Sequence, residues 1–228
     1  MDDVGLEFEQ AKFTRPDFVI NTSGTIGADS QVDMLFDVAG DSLDYMWHYL
    51  SLPNFGGSIG VSGRLSGPAD RMKINLNGRF RNVSYLFASI DSGTVQAQID
   101  DVPDKMLGAR VDLLGRSLLL GDRKFSSPHI LLEAGSGKTT VRDFSFARGD
   151  TVVSMDFDVT ADNDRSTVSF KHVSIITPEE EWKALQPIHL DLTDNGATID
   201  SVLISSQLPS IPMKTRSSMG LKPRKKHK

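Results

Sequence analysis

The chain has no cysteine. That excludes disulfides, thiolate catalysis and Cys-ligated zinc or iron–sulfur centres, and it leaves the redox compartment open. No apolar run approaches the ~18 residues that a membrane-crossing helix needs. The opening residues, MDDVGLEFEQ, are acidic and lack the basic and apolar regions of a secretory signal. As it stands, the chain is expected neither to span a membrane nor to direct its own export. Aromatic residues are few, 7% of 228. Basic residues are scarce outside the last fifteen positions, which hold Lys214, Arg216, Lys222, Arg224, Lys225, Lys226 and Lys228 and no acid. Residues 1–213 keep 18 basic against 30 acidic side chains, a net charge of −12. A body this acidic repels phosphate backbones, so no nucleic-acid partner is expected. The basic tail, 209–228, reads as disordered, and 1–208 reads as one β-rich domain.

Chemistry-bearing patterns are missing too. Gly135-Ser136-Gly137-Lys138-Thr139 imitates the end of a phosphate loop, but Leu132 stands where the first glycine belongs, and a strand pattern follows instead of a helix. It reads as a hairpin turn. Asp156, Asp158, Asp162 and Asp164 lack the central Gly and the closing Glu of a calcium loop. The histidines 48, 129, 172, 189 and 227 are never paired at metal-ligand spacing. No Gly-x-Ser-x-Gly elbow occurs. No enzyme activity, metal or cofactor is therefore expected.

What is present is alternation. From Gly56 to Asp100 the chain reads as short strands around glycine turns. Ile59, Val61 and Leu65 stand among small or polar residues, and Met72, Ile74 and Leu76 alternate with Lys73, Asn75 and Asn77. Val32, Met34, Phe36 and Val38 do the same earlier, and Val153, Met155, Phe157 and Val159 later. Leu190 and Leu192 follow in a segment closed by the turn Asp194-Asn195-Gly196. Period two means strands with one apolar face. Nineteen Gly and ten Pro supply the turns. Roughly a dozen strands fit the ~8–12-residue spacing of an all-β array. Two stretches break the pattern. Leu43, Met46, Trp47 and Leu50 predict an amphipathic helix over 41–50. Thr177-Pro178-Glu179-Glu180 has the form of a capping box and predicts a short helix through Leu185, carrying Trp182.

Gly57-Ser58-Ile59-Gly60-Val61-Ser62-Gly63-Arg64-Leu65-Ser66-Gly67-Pro68, then Ile74-Asn75-Leu76-Asn77-Gly78 and Asn82-Val83-Ser84, resemble the repeats of TamB-like translocation and assembly module proteins and their AsmA-like relatives. Leu131 to Gly135 with Val141 to Asp150 is similar to another such unit. The resemblance spans about residues 5–207. It implies an all-β fold, an elongated, curved antiparallel sheet (a taco-like groove or solenoid) with one or two short helices. It also implies a non-enzymatic periplasmic or cell-envelope role in moving phospholipid between the inner and outer membranes and in outer-membrane assembly. The implied partners are phospholipid and an outer-membrane assembly protein reached through a sheet edge. The family's N-terminal anchor and C-terminal domain are absent from these residues, so the resemblance implies an excised segment or a short relative.

A groove for acyl chains needs apolarity rather than a motif, at about 0.8 kcal/mol per buried methylene. The candidate groove residues are Val32, Met34, Phe36, Ile59, Val61, Ile74, Leu76, Val153, Met155, Phe157, Leu190 and Leu192. The same stripes would equally fill the dry core of a closed β-sandwich or a solenoid serving as a structural or adhesive module.

Overall fold

The computed structural model describes residues 5–42, 56–85, 88–102, 108–135, 138–162, 165–193, 196–200 and 202–207. They form a single antiparallel sheet of sixteen strands. In chain order these are β1 (Leu6–Thr14), β2 (Phe18–Ile26), β3 (Gln31–Gly40), β4 (Gly56–Pro68), β5 (Met72–Tyr85), β6 (Ala88–Val102), β7 (Gly108–Gly115), β8 (Ser117–Leu120), β9 (Arg123–Gly135), β10 (Lys138–Arg148), β11 (Thr151–Asp162), β12 (Arg165–Ile176), β13 (Glu181–Ala184), β14 (Ile188–Thr193), β15 (Gly196–Ile199) and β16 (Ile204–Gln207). From β1 to β7 and from β9 to β13 each strand pairs with its sequence neighbour in a meander, while β7 also pairs with β9 and β16 pairs with β13. β7 and β8 share one row, as do β13 and β14, and β15 and β16. Thirteen rows at ~4.8 Å spacing give a sheet roughly 58 Å long.

Every described strand is hydrogen-bonded into this one sheet. The two-sheet sandwich is thus not the architecture. An isolated flat layer would leave one whole side of every apolar residue in water. Instead Val32, Phe80, Leu118, Val141 and Phe146 are all buried, Phe80 to 4% exposure. Their cover comes from neighbours in the same layer, so the sheet curves around the side they occupy.

Irregular positions supply that curvature. Register slips interrupt β1, the β4–β5 and β5–β6 pairs, and the strands from β9 to β12. Such bulges bend a strand and increase its twist. Asn82 in β5 and Ser127 in β9 adopt positive φ, 50° each. Gly115, opposite this region, has Pro128 and Ile90 so close that a Cβ would meet them at 2.6 and 2.8 Å. Proline removes a ladder donor, and here it sits where the ladder is already distorted.

Two expectations on helices have different outcomes. Residues 43–50 of the helix expected over 41–50 lie outside the described residues. The helix expected from Thr177 to Leu185 is replaced by a hairpin. Thr177 and Glu180 close the β12–β13 turn, with the Thr177 amide donating to the Glu180 carbonyl at 2.8 Å and the Glu180 amide donating to Thr177 Oγ1 at 2.9 Å. The hydroxyl–amide contact of a capping box is present, but Trp182 then pairs with Ile175 across the sheet. Pairing with β12 outweighs the local helix signal. Gly135 and Lys138 end and begin paired strands β9 and β10, so the phosphate-loop look-alike is a hairpin connection.

Candidate functional site: an apolar sheet face

Side chains directly opposite in an antiparallel pair share a face, so the register sorts residues without further assumption. Met34 faces Leu65, Leu65 faces Ile74, and Ile74 faces Ile99. Val38 faces Val61, Val61 faces Gly78, and Gly78 faces Val95. The row continues through Leu113 and Ile130 to Phe144 and Met155. On the far side Val159 faces Val168, and Val168 faces Leu190. Followed in this way, Val32, Met34, Phe36, Ile59, Val61, Ile74, Leu76, Val153, Met155, Phe157, Leu190 and Leu192 all lie on one face. The register joins them across β3, β4, β5, β11 and β14.

Sequence reasoning left out the middle of this face. Phe80, Val95, Ala97, Leu113, Ile130, Leu132, Val141, Phe144 and Phe146 belong to it by the same pairing. Part of the reason is a slip between Val141 and Phe144, which puts two residues where alternation allows one. Aromatic rings continue the face: Phe125 meets Phe146 at 4.7 Å between centroids, Phe144 meets Phe146 at 5.4 Å, and Phe157 meets Phe170 at 5.3 Å. Such tilted and edge-on contacts are worth about 0.5–1.5 kcal/mol each beyond burial. The repeated Phe in Asp143-Phe144-Ser145-Phe146 was the available sequence signal.

The opposite face is ionic. Arg64 grips Asp33 with two hydrogen bonds of 2.6 Å. Arg110 and Arg142 share Glu133, and Arg165 pairs with Asp191. His129 lies between Asp112 at 3.0 Å and Asp143 at 2.7 Å. Hydrogen bonding to Arg64 lowers the Asp33 carboxyl below its ordinary pKa, and hydrogen bonds from Arg165 and Thr167 lower Asp191. These cross-strand pairs are mostly exposed, so each adds little stability; their consistent placement marks which side faces water.

One carboxylate on this side is buried. Asp158 is 8% exposed and lies 2.6 Å from Lys138, 2.8 Å from Lys171 and 2.8 Å from Thr140 Oγ1. Burial pushes its pKa up, but the hydrogen bonds from Lys138, Lys171 and Thr140 outweigh burial and bring it to about 2. A lowered folded-state pKa stabilises the fold above the unfolded value near 3.8, and that contribution is lost as pH falls toward 2. Asp158→Asn is expected to cost about 1–2 kcal/mol at pH 7, since both lysines are half exposed and screened. Urea unfolding at pH 7 and pH 2 checks this, and the gap between variant and parent closes at the lower pH. A gap unchanged with pH would show that charge is not the cause.

Among the described residues no cluster of His, Asp or Glu suits a metal ion, and no helix is long and apolar enough to cross a membrane. The arrangement defines a class: an open, single-layer antiparallel sheet with one apolar and one ionic face. No protein-family model, no curated protein and no solved structure matches the chain.

Proposed function

We propose that the apolar face is a wall for acyl chains, and that the chain is a non-enzymatic cell-envelope segment that carries phospholipid between inner and outer membranes. On this reading it works in the periplasm, as the resemblance to TamB-like and AsmA-like repeats implies. The observation that carries the proposal is the one-sidedness of the sheet. Apolar residues from β3 to β14 share one face of the single sheet, while the cross-strand ion pairs sit on the other. A soluble protein seldom keeps so large an apolar surface without an occupant. An acyl chain fits it because contact needs no fixed polar geometry, only about 0.8 kcal/mol per methylene removed from water. Among the described residues no further strand flanks the first and last rows, β1 and β15–β16, so a partner strand from an outer-membrane assembly protein could add there.

The purified chain is expected to carry phospholipid. Mass spectrometry of its organic extract detects the lipid, and a fluorescent fatty acid binds the delipidated protein saturably. An empty extract together with no fatty-acid binding would end this reading.

A further inference from the structure

One end of the rows gathers cations that have no ion-pair partner. Among the described residues nine lysines and arginines meet a carboxylate, and six that do not are gathered at one place. Arg79, Arg81, Arg116, Arg123, Lys124 and Arg148 have none, and they stand at the same end of the rows from β5 to β10. Arg81 is level with Ser92, and Ser92 with Arg116. Lys124 lies on β9 beyond Ser126, which pairs with Ala147 beside Arg148. In a body with 30 acidic residues to 18 basic ones, carboxylates are not in short supply. Asp91, Asp122 and Asp150 are at this end too, yet none pairs with these cations.

Three of the cations converge. Arg116, Lys124 and Arg148 line a cavity of about 530 Å³, open to solvent, together with Asp91. Small residues, Ser117, Ser126 and Ala147, lie between them and leave the space unfilled. Like charges held around a cavity repel unless an anion joins them. Guanidinium forks and an ammonium are the groups that bind phosphate oxygens best. With Asp91 included the site carries a net charge of +2, suited to one phosphate.

We propose that this cavity is a phosphate-binding site, and that its occupant is the phosphodiester headgroup of a phospholipid. The identification of the occupant rests on the acyl-chain reading of the apolar face. The same rows carry Leu118, Phe125 and Phe146 on that face, so the site lies at the rim over which a headgroup would turn from acyl chains held there.

The test uses the full chain and a variant with Arg116→Gln, Lys124→Gln and Arg148→Gln. Titration calorimetry compares dihexanoyl phosphatidylglycerol, the matched dihexanoylglycerol without phosphate, and inorganic phosphate. The parent is expected to bind the phospholipid at least about tenfold more tightly than the diacylglycerol, and the variant to bind the two equally. Retained diacylglycerol binding by the variant shows that the apolar face is intact. A variant that keeps the full preference, or a parent without one, overturns the proposal. Inorganic phosphate that binds the parent and not the variant, while neither lipid binds, overturns the lipid occupant and the acyl-chain reading together. Diacylglycerol binding without any phosphate preference overturns this site alone.

Discussion

Replacing Met34 and Leu76 with aspartate should remove acyl-chain binding, whereas replacing Leu35 and Asn77 with aspartate should leave it unchanged. The four residues form two adjacent pairs, on β3 and on β5, and each pair straddles the sheet. Met34 faces Leu65, and Leu76 faces Gly63 and Ala97, all on the apolar side. Leu35 faces Arg64 and is 57% exposed, while Asn77 faces Ser62 and Gln96 on the ionic side. Propensity, chain position and added charge are nearly matched, so the face is the variable that differs. A carboxylate against a methylene chain keeps its water, and the chain loses contact over about three methylenes, roughly 2–3 kcal/mol. That predicts a 30- to 100-fold weaker binding of a fluorescent fatty acid to the apolar-side pair. Leu76 is only half-buried, so its carboxylate has a path to water and the sheet should survive. Circular dichroism of both variants checks that it does. Equal binding by the two variants would refute a lipid wall on this face and leave the stripe with a structural role only.

Alternation was readable because a strand with one wet side must write its burial into every second residue. That was enough for the class of fold and for the twelve stripe residues to fall on one face. It failed where the backbone departs from regular pleating. Asn82 and Ser127 at positive φ carry no side-chain signature that separates them from ordinary turn residues. The slip between Val141 and Phe144 hides two face residues from a period-two count. At Thr177 the local signal was real, since the hydroxyl bond to the Glu180 amide exists, but a hairpin uses the same bond as a helix cap. The cationic cavity was beyond reach for a different reason. Arg116, Lys124 and Arg148 come from three rows, and only register places them around one space. Their lack of partners is a property of the assembled face and cannot be counted from composition.

Glycine substitution should divide sharply by position, and Gly93 should be the costly case. Gly93 lies on β6 between Phe80 and Gly115. A Cβ there would stand 2.1 Å from the Leu114 carbonyl oxygen and 2.5 Å from Phe80 Cζ. The Phe80 ring therefore lies across the glycine, which is how one layer buries a phenylalanine to 4% exposure. Phe36 over Gly63 and Val61 over Gly78 repeat the device, at 2.7 and 2.3 Å. Gly93→Ala pushes against backbone that the β6–β7 ladder fixes, so about 2–3 kcal/mol is expected, with Phe80→Ala costing about 3–4 kcal/mol. Gly60, on β4, has nothing within 4 Å of its Cβ position. Gly60→Ala should be neutral or stabilise by about 0.5 kcal/mol, through the entropy of the unfolded chain. In the double variant Phe80→Ala, Gly93→Ala the ring clash is gone but the carbonyl clash stays, so the double variant should cost about 1 kcal/mol less than the sum of the two single variants. Urea midpoints at constant slope give all four values. If Gly93→Ala were as harmless as Gly60→Ala, the glycines would be ordinary turn-formers. The buried side of this sheet would then need a cover that the described strands do not supply.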